Sequence, residues 1–224
     1  MTKVLFFGDS HTRCYISKGA DLVQEELDFT TCVVDGATAQ GAVNPHSKTK
    51  ALSSYRAVLK KRINEAFDYF GIMLGEVDCG FVIWHRAKKY KKTVSSQIDL
   101  AVGNLETFLN EDVEKNFTKK QIVVVGATLP TIQDNADIKV LKGARGSVTA
   151  NLSQRMNCTF RYNEKLKKMA ESNGYRYFDV SEETLDKPNN RVHPRFLRSD
   201  PEDHHFNSKA AGPLFADKFK EAIQ

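Results

Sequence analysis

The chain has no Cys-x-x-Cys pair. Its four cysteines stand at 14, 32, 79 and 158 without short regular spacing, which argues against a compact zinc site or a disulfide frame and for reduced, mostly buried thiols. It has no run near the ~20 apolar residues that a membrane-spanning helix needs, so no membrane span is expected. Neither a basic leader, a long apolar segment nor a small-residue cleavage site precedes the first apolar run, which follows Met1-Thr2-Lys3 directly; a cytoplasmic protein is the expectation. Strong charge is missing as well. The net charge is +5, and its densest part is Arg86-Ala-Lys-Lys-Tyr-Lys-Lys92. One short cluster is not the face-wide basic stripe that phosphate-backbone binding requires, so no nucleic-acid partner is expected. The cluster reads as a solvated surface segment or as a seat for an anionic group such as a uronate, a sulfate or a nucleotide-sugar phosphate.

Internal repeats and low-complexity linkers are absent too. A chain of 224 residues with 41% hydrophobic composition suits a single domain over 1–224, large enough to bury roughly 70% of the surface its unfolded state exposes.

What is present is an alternation. Short apolar runs at Val4–Phe7, Phe29–Val34, Tyr69–Leu74, Ile122–Val125 and Tyr175–Val180 have the unbroken character of strands covered on both faces. Helical periods lie between and after them. Over 94–113, Val94, Ile98, Ala101, Leu105, Phe108 and Leu109 fall on one stripe. Over 153–172, Met156, Phe160, Leu166 and Met169 repeat less cleanly, and Gly174 follows as a C-cap. A last helix is expected over 208–222. Strand–helix alternation predicts an α/β domain with a mostly parallel sheet, and in such sheets ligands sit beyond the carboxyl ends of the strands. The loops to inspect are therefore 8–13, 35–47, 75–92, 126–150 and 180–207. The stretch 130–151 is polar and without clear period, either a lid or a plain excursion.

Those loops hold nearly all the candidate chemistry. Gly8-Asp9-Ser10-His11 follows the first strand. Asp35-Gly36-Ala37-Thr38-Ala39-Gln40-Gly41 follows the second, Leu74-Gly75-Glu76-Val77-Asp78 the third, and Asp200-Pro-Glu-Asp-His-His-Phe-Asn207 precedes the last helix. A serine hydroxyl is a weak nucleophile until a base takes its proton, imidazole suits that task near neutral pH, and a carboxylate on the far ring nitrogen fixes the tautomer. Ser10, His205 and either Glu202 or Asp203 supply these parts.

In this order the motifs resemble the SGNH hydrolase superfamily, the GDSL-type esterases and lipases. Gly8-Asp9-Ser10 matches its first motif, Gly36 its second, Gly75-Glu76-Val77-Asp78 part of its third, and His205-Phe206-Asn207 the end of its last. The resemblance spans the chain. It implies a doubly wound, flavodoxin-like sheet of about five strands in the order 2-1-3-4-5, with helices on both faces. It also implies hydrolysis or transfer of acyl groups through a serine ester, without a cofactor or metal. The stretches "GATAQGAVNPHSKTKA" and "LGEVDCGFVIWHRA" further resemble members associated with bacterial polysaccharide biosynthesis and modification. The implied substrate is a polar carbohydrate carrying O-acyl groups, with O-acetyl the favoured one.

Two departures stand out. Val77 occupies the position of an asparagine that helps hold the oxyanion, so that role falls to the backbone N–H groups of Ser10 and Gly36 and to a replacement donor, Arg86 or Asn44. Three residues before His205 stands Glu202, with Asp203 at two; Glu202 is the favoured acid. Asp9, His11, Asn44, Glu76, Asp78 and His85 are the remaining candidates to line the substrate site. Two other readings compete. Asp9-Ser10-His11 resembles the opening of calcineurin-like metallophosphoesterases, but their Gly-Asn-His-Asp/Glu and Gly-His-x-His stretches are missing. Val77 alternatively marks a carbohydrate-binding protein of SGNH fold that has lost turnover.

Overall fold

The computed structural model describes residues 1–16, 26–62, 64–134 and 148–224. Its centre is a five-stranded parallel sheet in the order β2-β1-β3-β4-β5. The strands are β1 (Thr2–Gly8), β2 (Leu27–Val33), β3 (Tyr69–Met73), β4 (Ile122–Val125) and β5 (Arg176–Phe178). This is the expected α/β architecture and strand order, and each strand lies on the apolar run that predicts it.

The alternation of side chains along the strands builds two cores. Leu5 and Phe7 of β1, Phe70 and Ile72 of β3, and Ile122 and Val124 of β4 point to one face; Val4, Phe6, Met73, Val123 and Val125 point to the other. The first face is covered by α1 (Ala51–Lys61), α3 (Val94–Phe108) and most of α4 (Leu152–Asn173), and α2 (Ile83–Tyr90) reaches it through Ile83. The second is covered by α6 (Ser208–Ile223), whose Phe215 and Phe219 pack on Phe6, Phe29 and Phe178. Gly71 leaves the space for this packing: a Cβ there would stand 2.3 Å from the Phe6 ring.

The untidy pattern in 153–172 has a physical source. Cys158, Tyr162, Leu166 and Met169 of α4 join the first core, whereas Leu152 and Met156 join the second. One helix thus serves two apolar layers, and no single stripe describes it. The helix opens with the Asn151–Gln154 capping box and closes at Gly174 with φ 78°, the C-cap expected there. The 94–113 segment is α-helical to Phe108 and then widens into a π-helical turn, Leu109–Val113. The helices α1 and α2 were not anticipated; neither were the short α5 (Ser181–Thr184) and the two-residue hairpin β6 (Leu185–Asp186) and β7 (Arg191–Val192). Of the 130–151 stretch, 135–147 lies outside the described residues. No helix among the described residues is long and apolar enough to cross a membrane.

Candidate active site

β1 lies between β2 and β3 and ends at Gly8, where the chain turns out of the sheet. Asp9 makes that turn. Its Oδ1 accepts the His11 backbone N–H at 2.9 Å and meets His11 Nδ1 at 3.1 Å, which caps a 3₁₀ turn over Ser10–Cys14. Tyr55 on α1 donates its hydroxyl to the Gly8 carbonyl at 3.1 Å, so the last peptide of the strand is held from the first core. Ser10 is thereby fixed, half-buried, at the end of a buried strand.

The partner of Ser10 comes from the segment before α6. His205 Nε2 lies 2.9 Å from Ser10 Oγ, and His205 Nδ1 lies 2.7 Å from Asp203 Oδ1. The same Asp203 oxygen accepts the His205 backbone N–H at 2.9 Å. Arg198 completes the set, donating Nη1 to Asp203 Oδ2 at 2.8 Å and Nε to the Phe206 carbonyl at 3.0 Å. Burial pushes Asp203 up, but the hydrogen bonds from His205 and Arg198 outweigh it and hold the carboxyl below its ordinary value. His205 is held below its ordinary value too, by burial first and by the neighbouring His11 second, with Asp203 opposing. A neutral imidazole between a hydroxyl and a carboxylate is the arrangement a general base requires.

This geometry corrects the favoured acid. Asp203, not Glu202, stands against His205. An aspartate two residues ahead of a histidine grips the backbone N–H and the ring with one oxygen, which fixes both. Glu202 is half-buried, and its backbone N–H is engaged by Asp200 Oδ1 at 2.9 Å.

The other candidates divide into braces and surface groups. Asp78 is fully buried, so it is not available to a substrate; its carboxylate accepts the N–H of Ala39 at 2.6 Å and of Gln40 at 3.1 Å, tying the loop after β2 to the loop after β3. Burial raises its pKa to about 7 despite these two hydrogen bonds. Gly36 sits exposed in the tied loop at φ 70°, a backbone setting that favours glycine. Gly75 at φ 137° is held under the Tyr162 ring, whose hydroxyl donates to the Leu74 carbonyl at 2.9 Å. Glu76 and His11 are buried together, with His11 Nε2 3.3 Å from Glu76 Oε2. Val77 is buried at the start of a π-helical turn over Asp78–Val82 that runs into α2. Arg86 lies on α2 with its guanidinium 5.2 Å from the Tyr90 ring centroid, and no hydrogen bond joins it to Ser10 among the described residues. Asn44 is exposed and accepts the His46 N–H at 2.9 Å within its own turn. His85 is exposed and, with Trp84, Lys88, Lys89, Lys92 and Thr149, lines a cleft of about 580 Å³.

Arg198, Tyr55, Tyr162 and Asn163 were missed in the sequence. Asn163 Oδ1 accepts from Ala127 N at 2.8 Å, and its Nδ2 donates to the Ala127 carbonyl at 2.9 Å, pinning the loop after β4. Only Arg198 carried a readable signal: a permanent cation five residues before an acid in a loop already under suspicion.

Solved structures share this arrangement of elements. The acetyl xylan esterase AlAXEase superimposes with a TM-score of 0.61 at 19% identity, over 99% of this chain and 100% of that one. A catalytic mutant of Axe2, an acetylxylan esterase from Geobacillus stearothermophilus, gives 0.59 at 14%, over 99% and 94%. An extracellular lipase from Streptomyces rimosus gives 0.54 at 15%, over 97% and 99%. The fold is that of these esterases. No protein-family model and no curated protein matches the chain by sequence. The sheet puts the carboxyl ends of its strands where Ser10, Gly36 and Gly75 lie, the region where a parallel α/β sheet holds a ligand.

Proposed function

We propose that the chain is a serine-dependent esterase or acyltransferase of SGNH type that removes or transfers O-acetyl groups on a polar carbohydrate. The observation that carries this reading is the continuous line Ser10 Oγ, His205 Nε2, His205 Nδ1, Asp203 Oδ1, with separations of 2.9 Å and 2.7 Å. His205 takes the Ser10 proton as Oγ attacks the ester carbon. The backbone N–H groups of Ser10 and Gly36 receive the developing oxyanion. The imidazolium then protonates the departing sugar oxygen, leaving an acetyl group on Ser10. Water or a second sugar hydroxyl, deprotonated by the same imidazole, releases it. Asp203 keeps the imidazole in the tautomer that presents a lone pair to Ser10.

Acetyl is the favoured acyl group because acetylxylan esterases are among the proteins of the same fold. The cleft beside α2 supports an anionic carbohydrate: a half-buried indole next to three lysines suits a sugar ring carrying a carboxylate or phosphate. Ser10→Ala and His205→Ala are each expected to lower turnover of p-nitrophenyl acetate by at least ~10³, and a serine-directed phosphonate is expected to add to the wild type and not to Ser10→Ala in intact-mass measurements. Retained turnover in either variant would sink the reading.

A further inference from the structure

The chain builds the same local device twice. In Asp9-x-His11 and in Asp203-x-His205, one carboxylate oxygen accepts the histidine backbone N–H, at 2.9 Å in both, and meets the ring Nδ1, at 3.1 Å and 2.7 Å. Each Nε2 is thereby turned away from its carboxylate, and the two rings stand 4.7 Å apart. His204 adds a third imidazole, 5.1 Å from the His11 ring and 4.0 Å from that of His205. One ligand nitrogen from each of the three lies within 4.8 Å of the others.

A carboxylate behind Nδ1 with Nε2 presented forward is how histidines are set to bind a transition metal. Nitrogens around tetrahedral zinc are roughly 3.4 Å apart, given Zn–N bonds near 2.05 Å, so this trio reaches bonding distance when its nitrogens draw together by about 1.4 Å at most and His11 Nε2 gives up its contact with the His204 carbonyl oxygen, 3.2 Å away. Glu76 Oε2, 3.3 Å from His11 Nε2, offers an oxygen as a fourth ligand. Asp9, Glu76 and Asp203 surround the trio with negative charge. His204 and His205 are half-exposed, which leaves a path from solvent.

We propose that His11, His204 and His205 bind Zn²⁺ and that this ion switches the enzyme off. The lone pair of His205 Nε2 cannot be held by zinc and take the Ser10 proton at once, so metal and catalysis compete for a single atom. The metal site stands on the histidine geometry alone; the inhibition rests on the esterase reading above.

The test separates the two. Chelator-treated wild type and Ser10→Ala are titrated with Zn²⁺ by calorimetry and with Co²⁺ by visible absorption. One ion per chain with the bands of tetrahedral cobalt is expected in both proteins. Hydrolysis of p-nitrophenyl acetate by the wild type should fall over the same zinc range and return with EDTA. His204→Asn should weaken both zinc binding and zinc inhibition by at least about tenfold and leave zinc-free turnover within about twofold; His204→Gln repeats the comparison with a longer side chain. An absent cobalt spectrum, or inhibition unchanged in both His204 variants, would overturn the site. Activity that requires zinc would overturn the inhibitory role. A chain that takes up cobalt yet hydrolyses no ester would leave the site standing and overturn the esterase reading instead.

Discussion

At the scale of single residues, the difference between Asp203 and Glu202 is one of reach. Asp203 accepts from the backbone and the ring of His205 with one oxygen and from Arg198 with the other. Asp203→Asn should therefore lower kcat by roughly 10²- to 10⁴-fold, whereas Glu202→Gln should stay within about twofold; initial rates on p-nitrophenyl acetate decide between them. The pH profile carries a second sign. Burial and His11 hold His205 below 6.5, so the base stays neutral at slightly acid pH, and the acid limb of kcat/KM is expected below pH 6.5. Removing the carboxylate that opposes those two effects should move the limb lower still. The serine, the histidine and a short list of acids were legible in the sequence because their residue types and order carry the chemistry. The choice of acid was not, because it depends on a turn that closes over two residues and on a cation, Arg198, that arrives from an earlier stretch of the loop.

At the scale of elements, the loops that carry the proposed site are held by side chains from the core. Tyr55 holds the end of β1, Asp78 the loop after β2, Tyr162 the loop after β3 and Asn163 the loop after β4. Asp78 makes this bracing sensitive to pH. Its folded pKa is about 7 against an ordinary 3.8. Between those values the native state keeps a proton that the unfolded chain has released, so this group's contribution is complete below about pH 4 and is lost as pH rises toward 7. Urea unfolding from pH 4 to 8 should show that decline in the wild type, and Asp78→Asn, which cannot titrate, should flatten it. An unchanged slope in the variant would place the dependence elsewhere. Periodicity exposes the helices whose apolar stripe faces one layer, as over 94–108. It hides α1, whose buried residues include a tyrosine engaged with a strand carbonyl, and α2, which grows out of a π-helical turn.

At the scale of the whole molecule, the five apolar runs were enough to give the strands of a mostly parallel sheet, because central strands buried on both faces read as unbroken apolar runs; their order was implied by the family resemblance alone, and the sheet has that order. Less visible was how β1 and β3 share space. Phe6 fills the second core only because Gly71 opposite it has no side chain. Phe6→Ala should cost about 3–5 kcal/mol, a fall in Tm of roughly 10 °C, and Gly71→Ala should destabilise as well by displacing the ring; thermal melts of both variants against the wild type measure this. The ring packs around Phe215 and Phe219, so the first strand and the last helix are stabilised together. Ser10 and His205 are 195 residues apart along the chain and 2.9 Å apart in space. On the proposed esterase reading, a ribosome making this protein releases Ser10, the nucleophile, early and withholds His205, its base, until the segment before the last helix α6 emerges. A product truncated before His205 would then carry an inert serine, and the proposed reactivity doubles as a report that synthesis has passed His205.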